Sequence, residues 1–196
     1  HSMSAATSLF SLILSVTLLL SSPLSAAPRD DFELAGVSTA SGTRHSFVVA
    51  VDPQAGEIPI TVFHGRDAGP VVTLSAGTHG DEYTAITALQ RLKGQIDPAA
   101  LAGTLVLVHA ANLPALHQLG LSPLHPADSK NLNREFPGRV EGTATERLAQ
   151  FLTQEIVSRS DYLADLHSGS ADQWLWPHIY APFVGDPELD ARTLAW

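Results

Sequence analysis

From Leu9 to Leu20 the chain reads LFSLILSVTLLL, an apolar run of 12 residues. A bilayer span takes ~20 apolar residues, so this run is too short to cross one. SSPLSAAP follows, with small residues at Ser25 and Ala27. The pattern predicts a secretory leader over residues 1–27, cleaved after Ala26 or Ala27. No Lys or Arg precedes the run, and His1-Ser2 stand ahead of Met3 as a remnant outside the argument.

Beyond the leader the pattern changes to short apolar stretches separated by turns. Residues 43–51 (TRHSFVVAV) and 57–64 (EIPITVFH) flank the turn-prone DPQAG and predict an antiparallel pair. Residues 70–76 (PVVTLSA) are continuously apolar between Gly69 and Gly77, which predicts a strand covered on both faces. Ile86, Leu89 and Leu92 recur at helical spacing in 83–92, and Gly94 stops that helix. Residues 103–110 (GTLVLVHA) predict a second buried strand and 112–120 a short helix, while 123–138 hold too many Pro, Asn and Asp for regular structure. Long loops of that kind in compact domains are usually functional. Thr143 and Glu146 form a capping box, followed by Leu148, Phe151, Leu152, Ile156 and Val157 on one helical face. Residues 162–166 predict a third buried strand ending at His167. Strands alternating with helices predict an α/β fold with a mixed, largely parallel sheet flanked by helices.

Composition narrows the chemistry. There is no Cys, so disulfides, thiolate zinc sites, iron–sulfur clusters and a cysteine nucleophile are all excluded. Any metal must be held by carboxylates and by members of the nine His. Eleven Lys plus Arg against 20 Asp plus Glu give a formal charge of −9, which excludes nonspecific nucleic-acid binding. Without the leader, residues 28–196 suffice for one domain, and no stable membrane anchor is expected. A leader and a cysteine-free chain predict a periplasmic or secreted protein.

In open α/β sheets ligands collect at the carboxyl ends of the strands. His79 and Glu82 follow the strand at 70–76, and His167 follows the strand at 162–166. A His-x-x-Glu pair offers two ligands from one turn, with Gly77 and Gly80 giving that turn its freedom. Two His and a carboxylate, with a fourth position for water, form a hydrolytic zinc set. The helical H-E-x-x-H signature is absent. A histidine at a strand end also serves as a hydrogen-bonded core residue. Asn133 and Arg134 lie in NLNREFPG, where the planar Arg fork suits a carboxylate. The alternative is an Arg134 that steadies its loop by pairing with Glu135 or Asp128. His64 and His109 close apolar strands and are expected to bond backbone groups, and Trp174 and Trp176 are expected to pack as core. Asp165 is either a partner of His167 or a packing residue.

GTHGDE (77–82), NLNREFPG (131–138), GTATERLAQFL (142–152) and DYLADLHSG (161–169) resemble the succinylglutamate desuccinylase/aspartoacylase family, a branch of the zinc carboxypeptidase-like hydrolases. The resemblance implies one zinc ion on His79, Glu82 and His167, and a substrate carboxylate on Asn133 and Arg134. It implies a zinc-dependent deacylase cleaving the amide of a small N-acyl amino acid, built on a zinc carboxypeptidase-like fold. The competing readings are an exported zinc carboxypeptidase acting on peptides or peptidoglycan stems, and a zinc-binding module without turnover. Two departures stand out. No Arg occurs between Arg91 and Arg134 to polarise the scissile carbonyl; His117, His125 and Arg139 are the candidates to replace it. The family's catalytic Glu lies well beyond the third ligand, whereas Glu188 comes early, in a turn-like DPELD, and is assigned to solvent. The expectation is therefore a chain that stops before the catalytic strand, with the general base outside it.

Overall fold

The computed structural model describes residues 29–118, 122–170 and 173–195. The predicted leader lies outside them, as does the end of the helix expected at 112–120. Ala35 and Gly36 take positive φ angles of 49° and 76°. Two such residues in a row make the tight turn of a hairpin. They join β1 (Phe32–Leu34) to β2 (Val37–Thr39) in a small sheet of their own.

The main sheet holds β3 (Thr43–Asp52), β4 (Gly56–His64), β5 (Asp67–Ala76), β6 (Ala102–Val108) and β7 (Tyr162–Leu166). Their order is β3-β4-β6-β5-β7. β3 pairs antiparallel with β4, and β4 antiparallel with β6. β5 lies parallel between β6 and β7, with Thr73 opposite both Val106 and Leu163. The sheet is mixed and flanked by helices, as expected. Its parallel half gathers the carboxyl ends of three strands at one edge, where ligands collect in such sheets.

Burial on both faces explains the continuous apolar runs. Successive strand residues point to opposite faces. Val62 and Val106 enter one layer with Leu132, Leu148, Leu152 and Ile156; Phe63 and Leu107 enter the other with Ala85 and Leu89. The second layer is covered by α1 (Tyr83–Leu92), and the first by α3 (Ala144–Phe151), with the short α2 (Leu113–Leu116) between them in sequence.

Several expectations are corrected. After α3 the helix widens into a π turn over Leu152–Ile156 and tightens again over Val157–Arg159. Widening carries one extra residue per turn. Val157 is exposed while Leu148, Leu152 and Ile156 stay buried. Among the described residues β7 pairs with β5 alone, at the edge of the sheet, and its Leu163 is exposed. Trp174 and Trp176 are not core: they are 70% and 73% exposed and pack edge-to-face on each other. Glu188 is exposed as expected, but it sits in the first turn of α4 (Pro187–Ala195), capped by Asp186. His64 bonds the Asp30 carbonyl and the Thr104 hydroxyl. His109 bonds the Thr61 hydroxyl rather than backbone, and its buried Nδ1 has no partner among the described residues.

Candidate metal centre

The turn leaving β5 places two of the three predicted ligands. Gly77 has φ +72°, and a Cβ there would lie 3.0 Å from Cα of Ala110, so the chain can bend beside β6 only without a side chain. Gly80 serves by closeness instead of by its angle. A Cβ on it would come within 2.3 Å of the Ala115 carbonyl carbon. His79 lies between these glycines, and Glu82 stands at the N-cap position of α1 without spending its carboxylate on the helix. β7 delivers His167 from the neighbouring strand end. His79, Glu82 and His167 each offer a ligand atom, and these atoms all lie within 4.8 Å of one another.

Both histidines are held from two sides. Nδ1 of His79 lies 2.7 Å from Oε1 of Glu82, and its Nε2 lies 3.1 Å from Oδ1 of Asn131. Nδ1 of His167 lies 2.9 Å from Oε2 of Glu82, and its Nε2 lies 2.8 Å from Oδ2 of Asp165. Thr78 donates its hydroxyl to Asp165 at 3.0 Å, and the Ser168 N–H donates to Glu82 at 3.2 Å. A neutral imidazole carries one N–H. If each ring gives that proton to its outer partner, both turn lone pairs toward a carboxylate. Such a cluster needs two added protons or one divalent cation. A ring whose one N–H is braced by a carboxylate or amide while its other nitrogen is free to bind is the usual arrangement of a metal-ligating histidine, and here the free nitrogen is Nδ1 in both. The donor types, their number and their charge therefore fit zinc.

With protons as the only cations, the electrostatics follow the same logic. Burial pushes the Glu82 carboxyl up, but hydrogen bonds from His167 and His79 outweigh it and hold the group at about 2. The bond to Asp165, reinforced by Glu82, pushes His167 up to about 10. The bond to Glu82 raises His79 against the opposing effect of burial.

Asn131 caps a single 3₁₀ turn, Leu132–Arg134, which carries Asn133 and Arg134. Through Asn131 that turn touches the ring of His79. Arg134 is exposed, and its Nη1 donates to the Asn133 carbonyl at 2.9 Å. Glu135 is taken by Lys130, and Asp128 by Thr145. The loop-steadying ion pair for Arg134 is thus not made. Of the three candidates for a carbonyl-polarising group, His125 is fully buried and accepts the Ala127 N–H, while Arg139 pairs with Glu146. His117 is exposed beside the end of α2. Sequence reasoning missed the roles of Asn131 and Thr78. Asn131 stood in the quoted NLNREFPG segment, but no local pattern announces its reach across 52 positions to His79.

The family model of the succinylglutamate desuccinylase/aspartoacylase catalytic domain matches residues 68–196. The chain belongs to this family. The match begins in β5, so every strand and turn that builds the metal group lies inside it, and the β3–β4 hairpin lies outside. N-alpha-acetyl-L-2,4-diaminobutyric acid deacetylase of Halomonas elongata is 36% identical over 179 residues, covering 88% of this chain and 49% of that protein. A desuccinylase/aspartoacylase structure from Rhodobacter sphaeroides is similar with a TM-score of 0.63 and 32% identity, over 78% of this chain and 48% of that one. The product-bound ectoine utilization protein EutE (DoeB) from Ruegeria pomeroyi gives a TM-score of 0.53 and 39% identity, over 58% and 34% of the two chains. The chain spans about half the length of the curated relative it matches.

Proposed function

We propose that this member of the desuccinylase/aspartoacylase family serves a zinc-dependent deacylase that hydrolyses the amide of a small N-acyl amino acid. The observation that carries the proposal is the convergence of His79, Glu82 and His167, with both outer ring nitrogens already braced. The relatives support the substrate class, since one of them is named as the deacetylase of an N-acetylated amino acid. Zinc bound there supplies a Lewis acid and a water acidified toward a pKa of ~7. His79 and His167 offer Nδ1, and Glu82 offers its carboxylate. Asn131 and Asp165 fix the two rings so that neither ligand must be ordered when metal arrives. Arg134, free of acidic partners among the described residues, grips the substrate carboxylate through its planar fork, and Asn133 adds an amide contact. That grip orients the amide before attack. With a formal charge of −9 the chain does not draw anions from a distance, so recognition is local. The proton-accepting carboxylate is assigned to none of the described residues, since Glu188 is exposed on α4.

Metal analysis of the purified protein, with His79→Ala and Glu82→Ala alongside, tests the centre. About one zinc per chain is expected in the wild type and none in the variants. Release of free amino acid from N-acetyl amino acids, set against C-terminal release from peptides, tests the reaction. Preference for peptides would favour the carboxypeptidase reading. Zinc binding by the whole protein without hydrolysis of either substrate would leave a binding module. We also propose export to the periplasm or the medium, which N-terminal sequencing of the processed protein tests: Ala27 or Pro28 should come first.

A further inference from the structure

We infer that Asn131 couples the metal centre to the turn presenting Asn133 and Arg134, so that metal and substrate carboxylate bind cooperatively. The inference rests on the metal-ligand reading above and deepens it. The N–H of Asn133 lies 2.9 Å from the side-chain atom of Asn131 that caps the turn. A backbone N–H only donates, so that atom is the amide oxygen. The same oxygen lies 3.1 Å from Nε2 of His79, which must then carry the ring proton. One oxygen thus spends both lone pairs, one on a metal-ligand ring and one on the turn that holds the substrate-facing pair.

The turn has few other ways to fix its entry. Leu132 is fully buried in the layer with Leu148 and Leu152, which pins the first residue of the turn to α3. The direction of the Asn133 N–H, at the middle of the turn, is set by Asn131. When a cation occupies Nδ1 of His79, the ring cannot rotate and Nε2 must keep its proton. Oδ1 is then held where it caps the turn. When the ring is free to move, the capping oxygen moves with it. Among the described residues the other histidine has no such link: His167 is braced by Asp165, which takes the Thr78 hydroxyl and makes no hydrogen bond to the turn. Only one of the two ligand histidines therefore reports to the substrate side. Coupling of this kind is reciprocal: whatever orders the turn tightens the metal.

The test uses the full chain, with zinc affinity read by calorimetry and amide exchange of Asn133 and Arg134 read by mass spectrometry. Zinc should slow exchange of the turn in the wild type. Asn131→Ala should lose 10- to 100-fold in zinc affinity, and at saturating zinc its turn should no longer respond. Asn131→Asp keeps an acceptor at the same place and should restore both. Asp165→Asn should weaken zinc binding while leaving the zinc-dependent slowing of the turn intact. If the wild type binds zinc but the turn exchanges unchanged, or if Asn131→Ala still responds, the coupling is wrong and the metal centre stands. If the wild type binds no more zinc than His79→Ala, the metal reading fails and the coupling falls with it.

Discussion

Two glutamates in this protein are almost equally buried, Glu82 at 7% exposure and Glu146 at 6%, and both are held at about 2. Their surroundings differ in kind. Glu146 accepts the Thr143 N–H at 2.7 Å to close the capping box of α3, and it pairs with Arg139 and Lys130. Those partners are a backbone donor and two cations that stay charged at any ordinary pH. Glu82 is surrounded by two imidazoles and one N–H. Its compensation is conditional, met by protons or by a metal ion. Burial and a depressed carboxylate therefore do not mark a functional site by themselves. What marks one is a buried charge whose counter-charge can be exchanged.

The largest expected effect breaks the comparison at Glu82. In the wild type, zinc at roughly 1,000-fold above Kd should raise unfolding free energy by ~4 kcal/mol. Glu82→Gln should remove that gain, as read from urea midpoints with and without zinc near neutral pH. A full gain in Glu82→Gln would place the metal elsewhere. The converse substitution, Glu146→Gln, should lower the midpoint without zinc and leave the zinc-dependent gain intact. Loss of the gain in that variant would mean the two clusters act as one.

The same contrast explains what could be read from the chain. The strands at 70–76 and 103–110 were legible because a sheet covered on both faces demands apolar runs; the one at 162–166 was legible as a short apolar run although it is only half-buried, and a three-residue spacing was enough to put His79 and Glu82 in one turn. His167 was legible as the residue ending a strand. The partners that make the cluster specific were not. Asp165 is the exception, open to reading from its place two residues before His167 on one strand; Asn131 and Thr78 act through contacts that depend on how loops from separate strands approach each other. Gly80 was assigned to unusual backbone angles, whereas its requirement is the 2.3 Å approach of Ala115, visible only once α2 is in place. The Trp pair misled because large apolar side chains ordinarily imply core, and here they stand on a segment without regular structure that follows β7.

Acid sharpens the comparison further. Burial, helped by the charge of Lys93, pushes the His109 imidazole down to about 4 from 6.5, so the fold prefers it neutral. Its stabilising effect is complete above pH 6.5 and is lost as pH falls toward about 4, a loss of roughly 3 kcal/mol in all. The carboxylates of Glu146 and Asp128 are also held down, at about 2 in each case, but for them the fold favours the charged form. For Asp128, hydrogen bonds from Thr145 overcome the upward push of burial. Their contribution is present above the usual carboxylate range and is lost as pH falls through about 2. Acid denaturation of the metal-free protein should therefore show an upper limb and a lower limb. His109→Gln should erase the upper one alone; a retained upper limb would move its origin to another group.

The smallest expected effect on stability belongs to Arg134, and it is the one that separates a binding residue from a structural one. Arg147 shows what a structural arginine looks like in this fold: Nε and Nη2 grip Asp52 at 2.7 and 3.1 Å, and Nη1 donates to the Gly142 carbonyl at 2.7 Å. Arg134 gives a single bond to its neighbour's carbonyl and otherwise faces water. Arg134→Ala should thus shift unfolding free energy by no more than ~0.5 kcal/mol. Its effect should appear in recognition. An N-acyl amino acid and the same compound with its carboxylate converted to a neutral amide differ only in the group that Arg134 is assigned to hold. The wild type should favour the acid through KM, Arg134→Ala should lose that preference, and Arg134→Lys should recover little of it, since a point charge cannot supply the paired donors of the fork. Equal handling of acid and amide by the wild type would remove Arg134 from the binding site while leaving the metal cluster untouched.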